Sequence, residues 1–370
     1  MDKNVIKYLA CPKKLSKGTC RGELALDEVF SFHKSNTDEI EQGYIKCRRC
    51  GASFPIFFAI PVLISDLGEY LKSNLSIILE LSRKYGRLDK DLIADSLLSI
   101  KRAKRQNQEA LFTRPKNEYK NRINTVFESH YITSHYDDLL SLARRQEPLY
   151  DFIDKYRLQT PHLMLKGFLK RYAKNGRSLA LEVGCNVGGF LPYLSEYAEH
   201  VFGLDNSFGH LFFASCLLKH IPIRIKDYNA IGESGIKKKR PLKKQRLKNL
   251  TLIAADGSNL PFRGRSLSIA LSCNLIDAID NPKNMLKEKM RVLKKGGLLL
   301  SSDPYQFLGE HKRRLNLEKG QSPWQNIKKI LKPKVKIIEA RDNTPWITRS
   351  YKRSYSIYYN HSFCARKKDK

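Results

Sequence analysis

Between residues 179 and 302 short apolar runs alternate with stretches of helical spacing. The runs 179–183, 200–204, 250–254, 267–273 and 297–302 are almost wholly apolar. Runs of that length without polar alternation suit strands covered on both faces, as in a parallel sheet flanked by helices. Helices are predicted over 190–198, from Ser207 as N-cap to 219, and from Asn281 to 293. Pro192 and Pro282 fall in permitted first-turn positions, and Lys294-Lys295-Gly296-Gly297 closes the last helix with cations and glycines. Strand following helix in this rhythm predicts an α/β fold with a doubly wound sheet.

The patterning changes upstream. Leu67, Leu71, Leu75 and Ile78, then Leu92, Leu97, Leu98 and Ile100, recur at helical spacing, and further helices are expected near 131–142, 148–156 and 162–172. The segment 66–150 therefore reads as a helical connector, ahead of a domain over 151–370 and behind a small one over 1–65. The longest apolar run, 54–64, carries two prolines and is too short to span a bilayer. With no charged leader before an apolar block, a cytoplasmic protein is expected.

Charge adds a second constraint. Lys and Arg number 68 against 37 acids, a formal net charge of +31. A neutral compositional drift would raise acids too, so the excess points to a polyanionic partner. Basic residues gather at 101–122, 237–248 and 312–336, outside the predicted strands. If they share a face they form a phosphate track.

Four of the eight cysteines, Cys11, Cys20, Cys47 and Cys50, lie in the first fifty residues. Cys47-Arg-Arg-Cys50-Gly51 has knuckle spacing: two thiolates two residues apart can hold one Zn²⁺, and the glycine permits the turn. Tetrahedral zinc needs two more ligands, for which Cys11 and Cys20 are the candidates. Their separation is wide for a knuckle, so residues 12–19 must bulge. His33 is the weaker substitute. The blocks Tyr8-Leu-Ala-Cys-Pro12, Gly22-Glu-Leu24, Gly43 to Gly51, Phe54-Pro-Ile56 and Ile60-Pro-Val-Leu-Ile64 occur in order. Residues 5–65 thereby resemble the zinc-ribbon family of tRNA-methyltransferase activators. That resemblance implies a β zinc ribbon with structural Zn²⁺.

The central motif is Leu179-Ala-Leu-Glu-Val-Gly-Cys-Asn-Val-Gly-Gly-Phe190, with Asp205 ending the next run and Asp256 the one after. A glycine turn after a buried strand lets backbone approach a nucleoside-bearing ligand, and an acid beyond the following strand accepts ribose hydroxyls. Asn186 replaces a usual glycine, and Asn tolerates left-handed backbone angles. This order resembles the class I S-adenosylmethionine-dependent methyltransferases, type 11-like, over about 150–366. The resemblance implies a Rossmann-like seven-stranded sheet ending in an antiparallel pair, here 335–339 and 356–364. It further implies S-adenosylmethionine held by Glu182, Gly184, Asn186, Gly188, Asp205, Asn206, Asp256, Gly257 and Asn274.

For the acceptor side, Asp277, Asp303 and Tyr305 follow strands four and five; the two acids are candidates for positioning or proton removal, and Tyr305 for positioning. Loop and cap hydrogen bonding is the plainer role for each. Asn274-Leu-Ile-Asp277 lacks the prolines of exocyclic amine methylases, and Cys273 lacks the context of a nucleophilic cysteine. A ribbon ahead of this fold, with the net charge, makes RNA the expected acceptor. A small-molecule or lipid-quinone methylase, and a non-catalytic RNA- or protein-binding adaptor with a vestigial cofactor fold, are the alternatives. Dehydrogenase-like nucleotide binding is a further one.

Overall fold

The computed structural model describes residues 1–33, 36–86, 88–106, 161–173, 178–219, 247–307, 322–351 and 354–369. The helices expected near 131–142 and 148–156, most of the basic stretches 101–122 and 237–248, and residues 312–321 lie outside them.

After a 3-10 turn at Lys3–Tyr8 the chain forms β1 (Lys14–Leu15), β2 (Gly18–Thr19), β3 (Leu24–His33), β4 (Asn36–Cys47), β5 (Ser53–Phe57) and β6 (Ile60–Leu63). Helices α1 (Leu67–Tyr85), α2 (Lys90–Gln106) and α3 (Pro161–Tyr172) follow. Then β7 (Leu179–Val183), α4 (Leu191–Ser195), β8 (His200–Asp205), α5 (Phe208–Lys219) and β9 (Leu250–Ala255) alternate. The chain ends with β10 (Leu267–Cys273), α6 (Pro282–Val292), β11 (Leu293–Asp303), α7 (Pro323–Leu331), β12 (Val335–Tyr351) and β13 (Ser354–Lys367).

Among the described residues the strands β3–β13 make one sheet, in the order β12-β13-β11-β10-β7-β8-β9-β6-β5-β4-β3. Strands β11, β10, β7, β8 and β9 are parallel, and β13 runs antiparallel to β11. These five with the β12–β13 pair are the expected seven strands. The pair is much longer than the predicted 335–339 and 356–364. The ribbon is joined to it by hydrogen bonds: β6 pairs parallel with β9, Val62 opposite Ala254 and Leu63 opposite Ala255.

Both faces are covered, which is why the strands lack polar alternation. Ala180, Val201, Leu252, Ile269 and Leu300 join the core under α1, α3, α4 and α5. Leu181, Phe202, Ile253, Ala270 and Leu299 join the core under α6 and α7. Period-two alternation thus survives, with apolar residues at both phases. Helix α1 begins with Asp66 accepting from Glu69 N at 3.2 Å and buries Leu71, Leu75, Ile78 and Leu81. Its Tyr85 meets Phe212 of α5 at 5.0 Å between ring centres. Helix α4 is shorter than the predicted 190–198: Phe190 caps it without a side-chain hydrogen bond, and it ends at Ser195.

Residues 12–19 do bulge. They form the β1–β2 hairpin, Lys14 opposite Thr19 and Leu15 opposite Gly18. Gly18 supplies its turn at φ +108°.

Candidate functional site

The carboxyl ends of β10, β7, β8 and β9 lie side by side, and the predicted acids sit there. Glu182 is the penultimate residue of β7, Asp205 the last of β8, and Asp256 follows β9. Glu182 is buried and its Oε2 has no hydrogen-bond partner. Burial pushes its pKa well above the ordinary carboxylate value, and the Asp205 charge adds to the shift. Among the described residues no lysine or arginine pairs with Glu182 or Asp205. Two neighbouring acids thus lie together, one with an unsatisfied buried oxygen, without a counter-cation among the described residues.

The turn between β7 and α4 lies beside this pair. Gly184, Asn186 and Gly188 have φ of +73°, +49° and +80°, so Asn186 takes the left-handed conformation its amide tolerates. Asp205 fixes the turn: its Oδ2 accepts from Asn186 N at 2.9 Å and its Oδ1 from Ser207 N at 2.9 Å. Asn186 Oδ1 is buried without a partner. Leu275 lies against Gly184, where a Cβ would sit 2.8 Å from its Cδ1. At Gly257 a Cβ would meet Val183 at 2.8 Å. Asn206 is exposed. Asp256 turns onto its own loop, Oδ1 accepting from Ser258 N at 2.7 Å and both oxygens accepting from Ser258 Oγ at 2.8 Å.

The residues at the ends of β10 and β11 form a second group. Asn274 is left-handed at φ +52°, and its N donates to Ser302 O at 2.8 Å. Asn360 Nδ2 donates to Asn274 Oδ1 at 2.6 Å and to Ser302 Oγ at 3.1 Å. Asp303 is fully buried; its Oδ1 accepts from Leu275 N and Ile276 N, each at 2.8 Å, and its Oδ2 from Ser301 Oγ at 2.5 Å. Asp277 Oδ2 accepts from Gln306 N at 2.7 Å. Both acids therefore hold loop backbone, the plainer of the roles expected for them. Tyr305 Oη and His361 Nδ1 are hydrogen-bonded at 3.0 Å, and Trp324 packs on the same imidazole at 4.3 Å between ring centres. Burial keeps His361 below its usual pKa.

Below this group lies Lys289 of α6, which is fully buried. Its Nζ donates to Ser272 Oγ at 2.8 Å and to Leu300 O at 3.1 Å; Ser272 Oγ meets Ser301 Oγ at 3.1 Å, and Ser301 reaches Asp303. Burial pulls the Lys289 pKa down to about 7, while burial and then Asp277 push Asp303 up to about 6. Burial raises the Cys273 thiol well above its ordinary value, with Asp303 and Glu182 adding to the shift, so it is held as a thiol rather than a nucleophilic thiolate.

Several of these groups had no signal in the sequence. Asn360 and His361 sit inside a strand with no motif and reach the site because Asp303 pairs opposite His361. Tyr70 of α1 is another: Asp205 lies close enough to add to the burial that raises its phenol pKa.

At the other end of the sheet the four early cysteines converge. Their sulfurs all lie within 4.8 Å of one another, with Cys11–Cys50 at 3.6 Å and Cys20–Cys47 at 3.8 Å. Tetrahedral thiolates about 2.3 Å from one ion would be roughly 3.8 Å apart, so the set fits zinc. Against the upward push of burial, backbone N–H groups of Cys50 and Arg49 hold Cys47 low. A Cβ at Gly22 would lie 2.6 Å from Arg49 Cβ and 2.8 Å from Cys47 Sγ, so the close approach of the two cysteine pairs requires glycine there. His33 is not in the cluster.

Residues 181–301 match the family described as Methyltransferase domain. Phthiotriol/phenolphthiotriol dimycocerosates methyltransferase 1 of Mycobacterium ulcerans is 27% identical over 166 residues, 44% of this chain and 48% of that protein. The uncharacterised protein MJ1123 of Methanocaldococcus jannaschii is 34% identical over 65 residues, 17% of this chain and 32% of its own length. The chain thus spans about half and about a third of these two curated relatives. Among solved structures, the complex between the Haloferax volcanii Trm112 methyltransferase activator and a methyltransferase matches at TM-score 0.37 and 14% identity, covering 58% of this chain and 92% of that one. The matched stretch, residues 181–301, spans β7 to β11 of a Rossmann-like α/β sheet.

Proposed function

We propose that this protein transfers a methyl group from S-adenosylmethionine to RNA and that its ribbon carries a structural zinc ion. The observation carrying the cofactor reading is the Glu182–Asp205 pair: two neighbouring carboxyls without a cation among the described residues, beside a left-handed glycine turn. A ligand with a sulfonium, an ammonium and ribose hydroxyls supplies what that pair lacks. In this assignment Asp205 takes the ribose, Glu182 faces the cationic end, and Gly184, Asn186 and Gly188 line the passage, with Asn206 at its rim. Asp256 and Gly257 border the adenine, and Asn274 borders the methyl-transfer region.

Bound S-adenosylmethionine supplies an electrophilic methyl group, so the protein has chiefly to align the acceptor and exclude water. Asp303 positions the 274–277 loop through the N–H groups of Leu275 and Ile276. Asp277 and Tyr305 border the acceptor side. Tyr305, hydrogen-bonded to an imidazole kept neutral by burial, is placed to pass on an acceptor proton.

RNA is favoured over other acceptors by the +31 net charge. The likeness to an enzyme named for dimycocerosates favours a lipophilic acceptor instead. The four-cysteine cluster, with all eight cysteines free, fits a zinc-thiolate protein of a reducing compartment, so we place it in the cytoplasm. We divide the chain into ribbon 1–65, connector 66–150 and methyltransferase domain 151–370.

Titration calorimetry with S-adenosylhomocysteine tests the cofactor reading. Binding is expected for the native chain and at least tenfold weaker binding for Asp205→Ala; no binding to the native chain defeats it. Incubation with methyl-labelled cofactor and fractionated cell extract tests the acceptor. Label in RNA supports the assignment, and label confined to lipid or small molecules overturns it.

A further inference from the structure

A second concavity lies on the α7 side of the sheet, bounded by α7, the start of β12 and the residue after β13. It is a groove of about 790 Å³ lined by Lys328, Lys329, Lys332, Lys336 and Lys368 around Val335 and Ile337. None of its lining residues is acidic. Lys328 and Lys332 are one turn apart at the end of α7, and Lys368 Nζ donates to Lys332 O at 2.7 Å. Five ammonium-bearing side chains around one groove suit a multivalent anion.

The groove's direction narrows the ligand. Trp324 in the first turn of α7 packs on His361, and Lys328 Nζ lies 5.5 Å from the Trp324 ring centre. Helix α7 therefore starts beside the His361–Tyr305 pair, and its lysines lead from there to the amino edge of the parallel strands, where Leu298 pairs with Arg366 and Val335 with Lys367. Single strands of nucleic acid present phosphates and base faces in alternation, which suits point cations beside an aromatic and an apolar floor.

We propose that this groove, at the amino edge of the sheet, binds the phosphates of single-stranded RNA that flanks the target nucleotide, one length of α7 away from the carboxyl edge. The inference deepens the RNA-acceptor reading and rests on it for the choice of polyanion.

The test uses the full chain, a fluorescein-labelled unstructured 15-nucleotide RNA and fluorescence anisotropy across a KCl series. The Lys328→Gln/Lys332→Gln/Lys336→Gln variant is expected to bind at least tenfold more weakly at moderate salt. Its log–log salt slope should fall by roughly 2, for three single-strand contacts at about 0.7 each. Titration with S-adenosylhomocysteine should be unchanged by the triple substitution. A control triple, Lys17→Gln/Lys294→Gln/Lys295→Gln, removes the same charge elsewhere; an equal loss there would show a bulk-charge effect and overturn the proposal. So would unchanged affinity and slope in the groove variant. Loss of binding to phosphatidylserine vesicles with RNA affinity retained would assign the groove to membranes and also overturn it. Groove-dependent RNA binding without methyl transfer to RNA would defeat the acceptor reading and leave the groove's ligand standing.

Discussion

At Glu182 the local physics points one way. A buried carboxyl beside another acid holds its proton to higher pH than a solvated one. A cationic ligand binds best to the ionised form, so cofactor affinity should rise with pH as this carboxyl ionises, above the ordinary carboxylate range. Glu182→Gln should flatten that dependence and weaken binding of S-adenosylmethionine about tenfold, near 1.4 kcal/mol. Calorimetry at several pH values checks both; a native profile that is flat or falls with pH counts against the assignment. Lys289 makes a second case. Its folded pKa is depressed to about 7, whereas an unfolded lysine keeps its proton to about 10.4. Between those values the unfolded chain binds more protons, so stability rises with pH across that window. Lys289→Met should abolish the rise. It should also cost about 1–3 kcal/mol at pH 7, because Ser272 and the Asp303 network lose a donor. Thermal melts from pH 7 to 9.5 read out both effects.

Among the elements, the grip between the first arm of the ribbon and the loop after β9 is the most specific. Arg21, left-handed at φ +56°, donates to Leu260 O at 2.6 Å, Asn259 Oδ1 at 2.9 Å and Glu288 Oε2 at 2.8 Å. Asn259 in turn donates to Pro12 O at 2.7 Å. Arg21→Ala should lower stability by about 1–3 kcal/mol, and Arg21→Lys should recover little, because one ammonium cannot reproduce the planar fork. Denaturant melts check the pair. Four of the five parallel strands were legible from their apolar runs almost to the residue, as 250–254 against Leu250–Ala255 shows, whereas β11 starts at Leu293 and takes in the Lys294–Gly297 stretch read as a helix end. The junction with the ribbon was not: pairing of Val62 with Ala254 joins residues nearly two hundred positions apart, and no local pattern encodes such a partner. The sequence likewise proposed Glu182 and Asp205 from their strand ends but was silent on Asn360 and His361. Those two reach the site only through the register of β13 against β11.

For the molecule as a whole, the ribbon should hold one zinc ion per chain by elemental analysis. Cys11, Cys20, Cys47 and Cys50 should resist thiol reagents until a strong chelator strips the ion, and the melting temperature should then fall by several degrees. Full thiol reactivity in freshly purified protein, with no metal present, would reject the site. The continuous sheet has one more consequence. Strand β9 is flanked by β8 on one side and by β6 on the other, so the border of the parallel strands is covered at Ala254 and Ala255. A version lacking residues 1–65 would bare the backbone donors and acceptors at Ala254 and Ala255 and lengthen the open edge of β9, a template for other chains. Such a truncation should aggregate, and the ribbon is better regarded as the seal of that border than as a detachable accessory.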